Sequence, residues 1–139
     1  MSAVQPYINF DGRCEEALEL YKKAVGARVE MLMRCKEAPL EPGQKLSPGS
    51  EDKILHVAFW VGDSLLMGSD GYNKGAPEFK GVMLSITARD PAEAKRFHEG
   101  LSAGGKVTMP LQETFYSPCF GMLEDKFGLG WMVIVQPKK

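Results

Sequence analysis

Hydrophobic and polar positions change period several times along the first half of the chain, and each change predicts a new element. Residues 4–10 alternate loosely, which predicts a first strand. Apolar residues then recur at helical spacing over 14–25, and Gly26 follows where such a helix would end. Further apolar segments predict strands over 27–36, 53–61 and 64–69, with a two-residue turn at 62–63.

The second half of the chain repeats this order. A strand over 81–87 precedes a helix that Asp90 caps and Pro91 begins. Strands over 106–111, 116–123 and 130–135 follow. The continuous apolar run Trp131–Val135 suits a strand that is buried on both faces inside a sheet.

Each half therefore reads strand–helix–strand–strand–strand, and we predict an α+β protein built from two βαβββ modules. The modules span 1–72 and 79–139 within a single compact domain. We expect their strands to form a half-open curved sheet with the helices outside and a small-molecule cavity between the halves. Residues 37–52 contain three prolines and two glycines, so this loop is a lid, a partner contact or a mobile connection.

Composition narrows the classes of partner. The chain is 44% hydrophobic and 25% charged, with a formal net charge of −1 and no basic stripe, so we expect no nucleic-acid partner. No apolar run reaches the roughly 18 residues of a membrane span, so we expect no membrane partner, and we expect no signal peptide. The three cysteines, Cys14, Cys35 and Cys119, are too widely spaced for a disulfide framework, and we expect a reducing cytoplasmic location.

Several motifs carry a resemblance that spans nearly the whole chain. They are Pro6–Gly12 followed by Cys14–Ala17 and Tyr21, then Gly62–Ser64, Leu66–Met67 and Ser69–Gly71, and finally Asp125–Gly128 with Trp131–Met132. Together they resemble the PhnB-like subfamily of the vicinal oxygen chelate superfamily, which includes glyoxalase I, bleomycin-resistance proteins and extradiol dioxygenases. The resemblance implies the glyoxalase/bleomycin-resistance fold and a homodimer. Some members carry the label 3-demethylubiquinone 3-methyltransferase, but this chain has no Gly-rich strand-to-helix loop for a methyl donor's nucleoside.

The resemblance also implies where a metal would bind. Metal-dependent relatives hold one divalent ion with four His or Glu side chains, one each from the first, fourth, fifth and last strands. Those positions fall here on Gln5 or Tyr7, Met67, Gly81 or Met83, and Met132. None of these is a carboxylate or an imidazole, so we expect no metal site and no cofactor, with a divalent metal as an unsupported alternative.

Eight side chains are predicted to line the cavity: Tyr7, Asn9, His56, Met67, Ser69, Met83, Ser85 and Met132. His56 is either a hydrogen-bonded histidine on a half-buried strand or a cavity donor or general base. The methionines either form an apolar ligand wall or pack the core. We expect His98 to be solvated on its helix, and Trp60 and Trp131 to be core or dimer-interface anchors.

Three functions remain open. The first, which the missing metal ligands favour, is a metal-free binder of a small molecule. The second is a metal-assisted lyase or isomerase of a small oxygenated metabolite, in which His56 is recruited as ligand or base. The third is an interaction module without a ligand, for which the loop 37–52 contacts a partner. No catalytic residue is assigned.

Overall fold

The computed structural model describes residues 3–38, 42–43, 49, 51–71 and 77–136. Within it the chain divides into two compact units, one formed by Met1–Lys22 and Gly26–Pro77, the other by Lys23–Val25 and Glu78–Lys139. Most of the predicted loop 37–52 lies outside the described residues, so its role stays a prediction.

Unit 1 contains one helix and a four-stranded mixed sheet. Its elements are β1 (Tyr7–Asn9), α1 (Cys14–Val25), β2 (Arg28–Arg34), a 3-10 turn (Cys35–Glu37), β3 (Ile54–Val61) and β4 (Ser64–Ser69). The strand order is β1-β4-β3-β2, with β1 parallel to β4 and the other pairs antiparallel. The helix packs on one side of the sheet, where the ring of Tyr21 stacks 6.2 Å from that of Phe59 and both are fully buried.

The limits of these elements have local causes. Gly26 ends α1 in the left-handed conformation, with φ 69°, and its N–H donates to the carbonyl of Tyr21, as predicted from its position. β1 is shorter than the predicted 4–10, since Pro6 has no N–H to donate to the sheet. Its carbonyl still accepts from Met67 N at 2.9 Å, so the chain follows β4 before the strand proper begins.

Unit 2 repeats the same order of elements. It contains β5 (Met83–Ala88), α2 (Pro91–Ser102), β6 (Lys106–Thr114), β7 (Ser117–Glu124) and β8 (Gly130–Val135), in the sheet order β5-β8-β7-β6. The predicted cap is present, since Asp90 Oδ1 accepts a hydrogen bond from Glu93 N at 2.8 Å. The predicted fold class, α+β with two βαβββ modules, is confirmed.

Two strands of unit 2 differ from their prediction. β8 lies inside the sheet as expected, but the expectation of burial on both faces is wrong: Met132 and Ile134 are only half-buried, whereas Trp131, Val133 and Val135 are buried. β6 extends through Pro110 to Thr114, beyond the predicted end at 111. A proline is tolerated there because β6 is an edge strand with shifts in its register. In the described part of the chain, no helix has the length and apolar character needed to cross a bilayer.

Candidate functional site

The side of the unit 1 sheet that faces away from α1 gathers five of the predicted cavity residues. We call it the helix-free face of unit 1. Successive residues of a strand point to opposite sides, so residues that pair with one another across strands share a face. This face carries Tyr7, Asn9, Met31, Met33, His56, Ala58, Trp60, Met67 and Ser69.

The strand register fixes the neighbours on this face. Tyr7 lies beside Met67 and Asn9 beside Ser69 across the parallel pair of β1 and β4. The rings of Tyr7 and His56 also meet, with centroids 5.7 Å apart and planes inclined by 35°. The predicted residues of unit 1 therefore form one continuous surface of aromatic, imidazole and thioether groups.

Two polar side chains on this surface have hydrogen-bond partners. Asn9 Oδ1 accepts a hydrogen bond from Asp11 N at 2.8 Å, and the Trp60 indole N–H donates to the carboxylate of Glu30. The imidazole of His56 differs, because it contacts the ring of Tyr7 but makes no hydrogen bond to any described residue. The interpretation of His56 as a strand histidine held by a protein hydrogen bond therefore finds no partner in the described part of the chain.

Unit 2 has an equivalent helix-free face, and it carries the other three predicted residues. Ser85 lies beside Met132, and Met122 lies beside Met132 from the other side. Met83 lies beside Gly130. The face comprises Met83, Ser85, Thr87, Phe120, Met122, Met132 and Ile134.

One end of this face opens into a cleft of about 440 Å³ that Met83, Met122, Glu124 and Gly130 help to line. A side chain at Gly130 would begin 3.0 Å from Met83 Cγ, so the glycine lets Met83 lie across β8. Glu124 is the charged group of the cleft and has Lys106 as its partner, at 3.4 Å. The cleft therefore combines thioether walls with one carboxylate.

The donor set does not fit a divalent metal. Of the alternatives weighed from the sequence, Gln5 and Gly81 lie before the strands, whereas Tyr7 and Met83 begin them. A phenol and thioethers then occupy the positions where carboxylates and imidazoles would be needed. Within the residues that the structure describes, no three His, Cys, Asp or Glu side chains come together in a group that could hold a metal ion.

The prediction for His98 is wrong. This residue is only 6% exposed, and its Nε2 lies 3.2 Å from the carbonyl oxygen of Met109 on β6. Gly121 on β7 makes the room, because a Cβ there would lie 3.0 Å from His98 Cδ2. Its neighbours in sequence are polar, but its own side of α2 packs on the sheet.

The tryptophans have different environments. Trp131 is a core residue, 2% exposed, and its indole N–H donates to Asp125 Oδ2 at 3.0 Å. Trp60 is half-buried on the helix-free face of unit 1. Only Trp131 matches the expectation of a core anchor.

Two buried carboxylates escaped sequence reasoning. Asp70 accepts backbone N–H groups from Cys14 and Ile54, and Asp125 accepts those of Phe127 and Leu129. Both aspartates belong to motifs that carried the family resemblance, so part of that resemblance reflects structural rather than chemical roles. The motifs were the available signal, since each aspartate stands beside a glycine or near one in a turn.

A second cleft of unit 2, of about 580 Å³, lies at the β6–β7 turn and was also missed. Phe115 and Tyr116 line it, and Phe115 is fully exposed while its ring packs edge-on against Tyr116 at 4.8 Å. The sequence predicted a strand that begins at Tyr116.

The cysteines give the first testable prediction. Burial, with a smaller contribution from the nearby Asp70 carboxylate, raises the pKa of the Cys14 thiol to about 12, and burial also raises the pKa of Cys119. Because the thiolate is the reactive form, a thiol reagent should label Cys35, which is half-exposed, well before the other two. Timed labelling with mass spectrometry measures this order, and Cys35→Ser should remove the fast phase. Fast labelling that persists in Cys35→Ser contradicts the prediction.

Comparisons with known proteins agree with this architecture. Residues 2–134 match the family described as 3-demethylubiquinone-9 3-methyltransferase. Protein YjdN of Escherichia coli K12 is 30% identical over 138 residues, which cover 95% of this chain and 94% of YjdN. The crystal structure of protein PA1353 from Pseudomonas aeruginosa is 33% identical, with a TM-score of 0.84, and covers 99% of this chain and 100% of its own.

More distant structures share the fold. A PhnB protein from Bacillus cereus superposes with a TM-score of 0.78 at 24% identity, over 96% of this chain and 99% of its own. A glyoxylase/bleomycin resistance protein/dioxygenase domain from Frankia sp. EAN1pec superposes with a TM-score of 0.60 at 14% identity, over 99% of this chain and 94% of its own.

Proposed function

This chain belongs to the PhnB-like family described as 3-demethylubiquinone-9 3-methyltransferase, and we propose that it binds a small molecule rather than transferring a methyl group. The glyoxalase/bleomycin-resistance fold is the framework for this proposal. We also propose that it works without the four-ligand divalent metal site of the metal-dependent relatives.

One observation supports the proposal: within each unit, the residues predicted to contact a ligand share the helix-free face of that unit's sheet. In unit 1 the rings of Tyr7 and His56 stand beside Met67, and in unit 2 Met83 and Met132 flank Ser85. Small-molecule sites in proteins are mainly apolar and aromatic with a few polar groups. Flexible thioethers adapt to irregular ligands, so methionine-rich walls suit this role.

Methyl transfer receives no support from the sheets. Both are mixed four-stranded sheets, and the sequence holds no G-x-G-x-x-G turn between a strand and a helix. The side chains at the four metal-ligand positions do not support divalent-metal chemistry either, because phenol and thioether groups bind such ions poorly.

The alternative function is a lyase or isomerase that acts on a small oxygenated metabolite. The imidazole of His56 favours it, since no described residue hydrogen-bonds to its ring nitrogens. An imidazole of this kind can serve as a general base towards a ligand. A variant His56→Gln that keeps every turnover found for the wild type would exclude this version.

We further propose a cytoplasmic homodimer. The three cysteines are free thiols, which suits a reducing compartment. The sheet edges β1 and β2 in unit 1, and β5 and β6 in unit 2, are strands that a second copy could cover.

The first experiment is elemental analysis of untagged protein together with native mass spectrometry. We expect far less than one equivalent of divalent metal per chain, the mass of a dimer, and a melting temperature that EDTA, Zn²⁺, Ni²⁺ and Mn²⁺ leave unchanged. A stoichiometric divalent metal would overturn the metal-free part of the proposal and favour the lyase or isomerase.

The second experiment locates the ligand. A metabolite panel is screened by thermal shift, and the compounds that raise the melting temperature are titrated into two variants. Tyr7→Ala/Met67→Ala should weaken binding about tenfold or more, equivalent to at least about 1.4 kcal/mol. Phe115→Ala, at the exposed β6–β7 turn, is the control and should bind normally. Loss of binding in Phe115→Ala alone would move the site to that turn.

A further inference from the structure

Ala58 lies at the centre of four larger side chains on the helix-free face of unit 1. Across the strands it pairs with Met67 on β4 and with Met31 on β2. Along its own strand the same face carries His56 two residues before it and Trp60 two residues after it. Neighbouring strands lie about 4.8 Å apart and same-face residues about 6.6 Å apart along a strand, so all four side chains can reach the space above Ala58.

The side chains around Ala58 carry atoms that favour a particular class of metal ion. Two thioether sulfurs and one imidazole nitrogen are ligands that suit a soft monovalent metal such as Cu(I), while Zn²⁺ and other harder ions prefer imidazole, thiolate and carboxylate. The indole of Trp60 can stabilise a cation over its face. Its N–H is held by the carboxylate of Glu30, which fixes the ring at the edge of this space.

The imidazole and the two thioethers on this face are available to bind an ion. His56 makes no hydrogen bond to any described residue, so its ring nitrogens are free of protein partners there. Met31 is 45% exposed and Met67 is half-buried, so a solute can reach both sulfurs. Ala58 has a small side chain and is itself only 9% exposed, so larger neighbouring groups cover it.

We propose that the helix-free face of unit 1 binds one Cu(I) ion above Ala58, with His56, Met31 and Met67 as its ligands and Trp60 beside it. This site shares the Met67 position with the four-strand divalent site of the metal-dependent relatives, but it differs from that site in its other residues and in its metal. It shares His56 and Met67 with the proposed small-molecule surface, but its test uses copper alone, so either proposal can fail while the other stands.

The test is an anaerobic titration of Cu(I) in competition with a chromophoric Cu(I) chelator. The protein carries Cys35→Ser throughout, because the half-exposed Cys35 thiol would itself take up Cu(I). We expect one Cu(I) per chain, quenching of Trp60 fluorescence as the ion binds, and no competition from Zn²⁺. Trp60→Phe should abolish the quenching. Failure of the Cys35→Ser protein to take up Cu(I) from the chelator overturns the proposal.

Two variants and one control test where Cu(I) binds. Met31→Leu/Met67→Leu removes both sulfurs while conserving volume, and we expect Cu(I) affinity to fall about tenfold or more. Met122→Leu/Met132→Leu removes two methionines from the helix-free face of unit 2 and should bind as the parent does. His56→Gln, which alters neither methionine, should also weaken binding about tenfold. Unchanged affinity in both the Met31/Met67 and the His56 variants, or an equal loss in the Met122/Met132 control, contradicts the assignment.

Discussion

Replacing Asp125 with alanine should lower the free energy of unfolding by about 3–5 kcal/mol, a large part of the stability of a domain this size. The carboxylate is 2% exposed and accepts three hydrogen bonds. Oδ1 accepts from Phe127 N at 2.9 Å and Leu129 N at 3.1 Å, and Oδ2 accepts from Trp131 Nε1 at 3.0 Å. Alanine removes the carboxylate that accepts from these three donors, and each hydrogen bond lost from a buried donor costs about 1–3 kcal/mol.

The matched control is Asp63→Ala, at the exposed turn between β3 and β4. This aspartate also sits in a hairpin turn, and its loss should cost less than about 0.5 kcal/mol because exposed substitutions rarely cost more. Urea unfolding of both variants measures the difference. An Asp125→Ala variant as stable as Asp63→Ala would show that water replaces the carboxylate.

A double-mutant cycle separates the indole contact from the two backbone contacts. Asp125→Asn keeps one oxygen but places an amide group where Oδ2 accepts from the Trp131 indole. Trp131→Phe removes that donor and keeps a ring in the core. The double variant should therefore lose less stability than the sum of the two single variants, which marks a direct coupling. Strict additivity would mean that the indole hydrogen bond contributes little.

The helices and strands could be predicted because residues close in sequence determine where each of them forms. The helix over 14–25 was found within its observed limits, since its apolar spacing and Gly26 both act within a few residues. The two βαβββ modules followed from the repeated order of elements in the two halves. Strand ends were less predictable. The carbonyl of Pro6 accepts from Met67 before β1 begins, and β6 continues past Pro110 to Thr114.

Alternation along strands also predicted which candidate residues share a face of a sheet. Tyr7 with Asn9 and Met67 with Ser69 are each separated by two positions, so one choice of face fixes each pair. Met31 was missed because β2 has a register shift between Val29 and Met31, and an irregularity of that kind leaves no mark in the sequence.

The buried carboxylates could not be assigned from the sequence for a different reason. Asp70 bonds a backbone N–H that lies 56 residues away, and neither periodicity nor turn preference reports such a contact. His98 was misjudged similarly, because the carbonyl of Met109 and the space at Gly121 come from other elements. Side chains that act on distant backbone groups become visible only once the sheets are assembled.

Replacing Asp70 with alanine should lower the free energy of unfolding by about 2–4 kcal/mol. Its carboxylate is 3% exposed, with Oδ1 accepting from Cys14 N at 2.8 Å and Oδ2 accepting from Ile54 N at 2.6 Å. It therefore joins the first turn of α1 to the start of β3, and a negative charge at a helix N-terminus is favourable in its own right. Alanine leaves both N–H groups buried without an acceptor.

The Asp70→Ala variant should also make the thiol of Cys14 more reactive. Cys14 begins α1, and the Asp70 carboxylate contributes to its raised pKa, so its thiol should become more reactive when the first turn opens and that charge is gone. In a Cys35→Ser background, a thiol reagent should label Cys14 several-fold faster in Asp70→Ala than in the parent. Asp52 and Asp70 line one small cleft, but Asp52 forms an exposed ion pair with Lys36. Asp52→Ala should therefore change neither labelling nor the unfolding midpoint. Equal labelling rates in the Asp70→Ala and Asp52→Ala proteins would mean that α1 begins independently of Asp70.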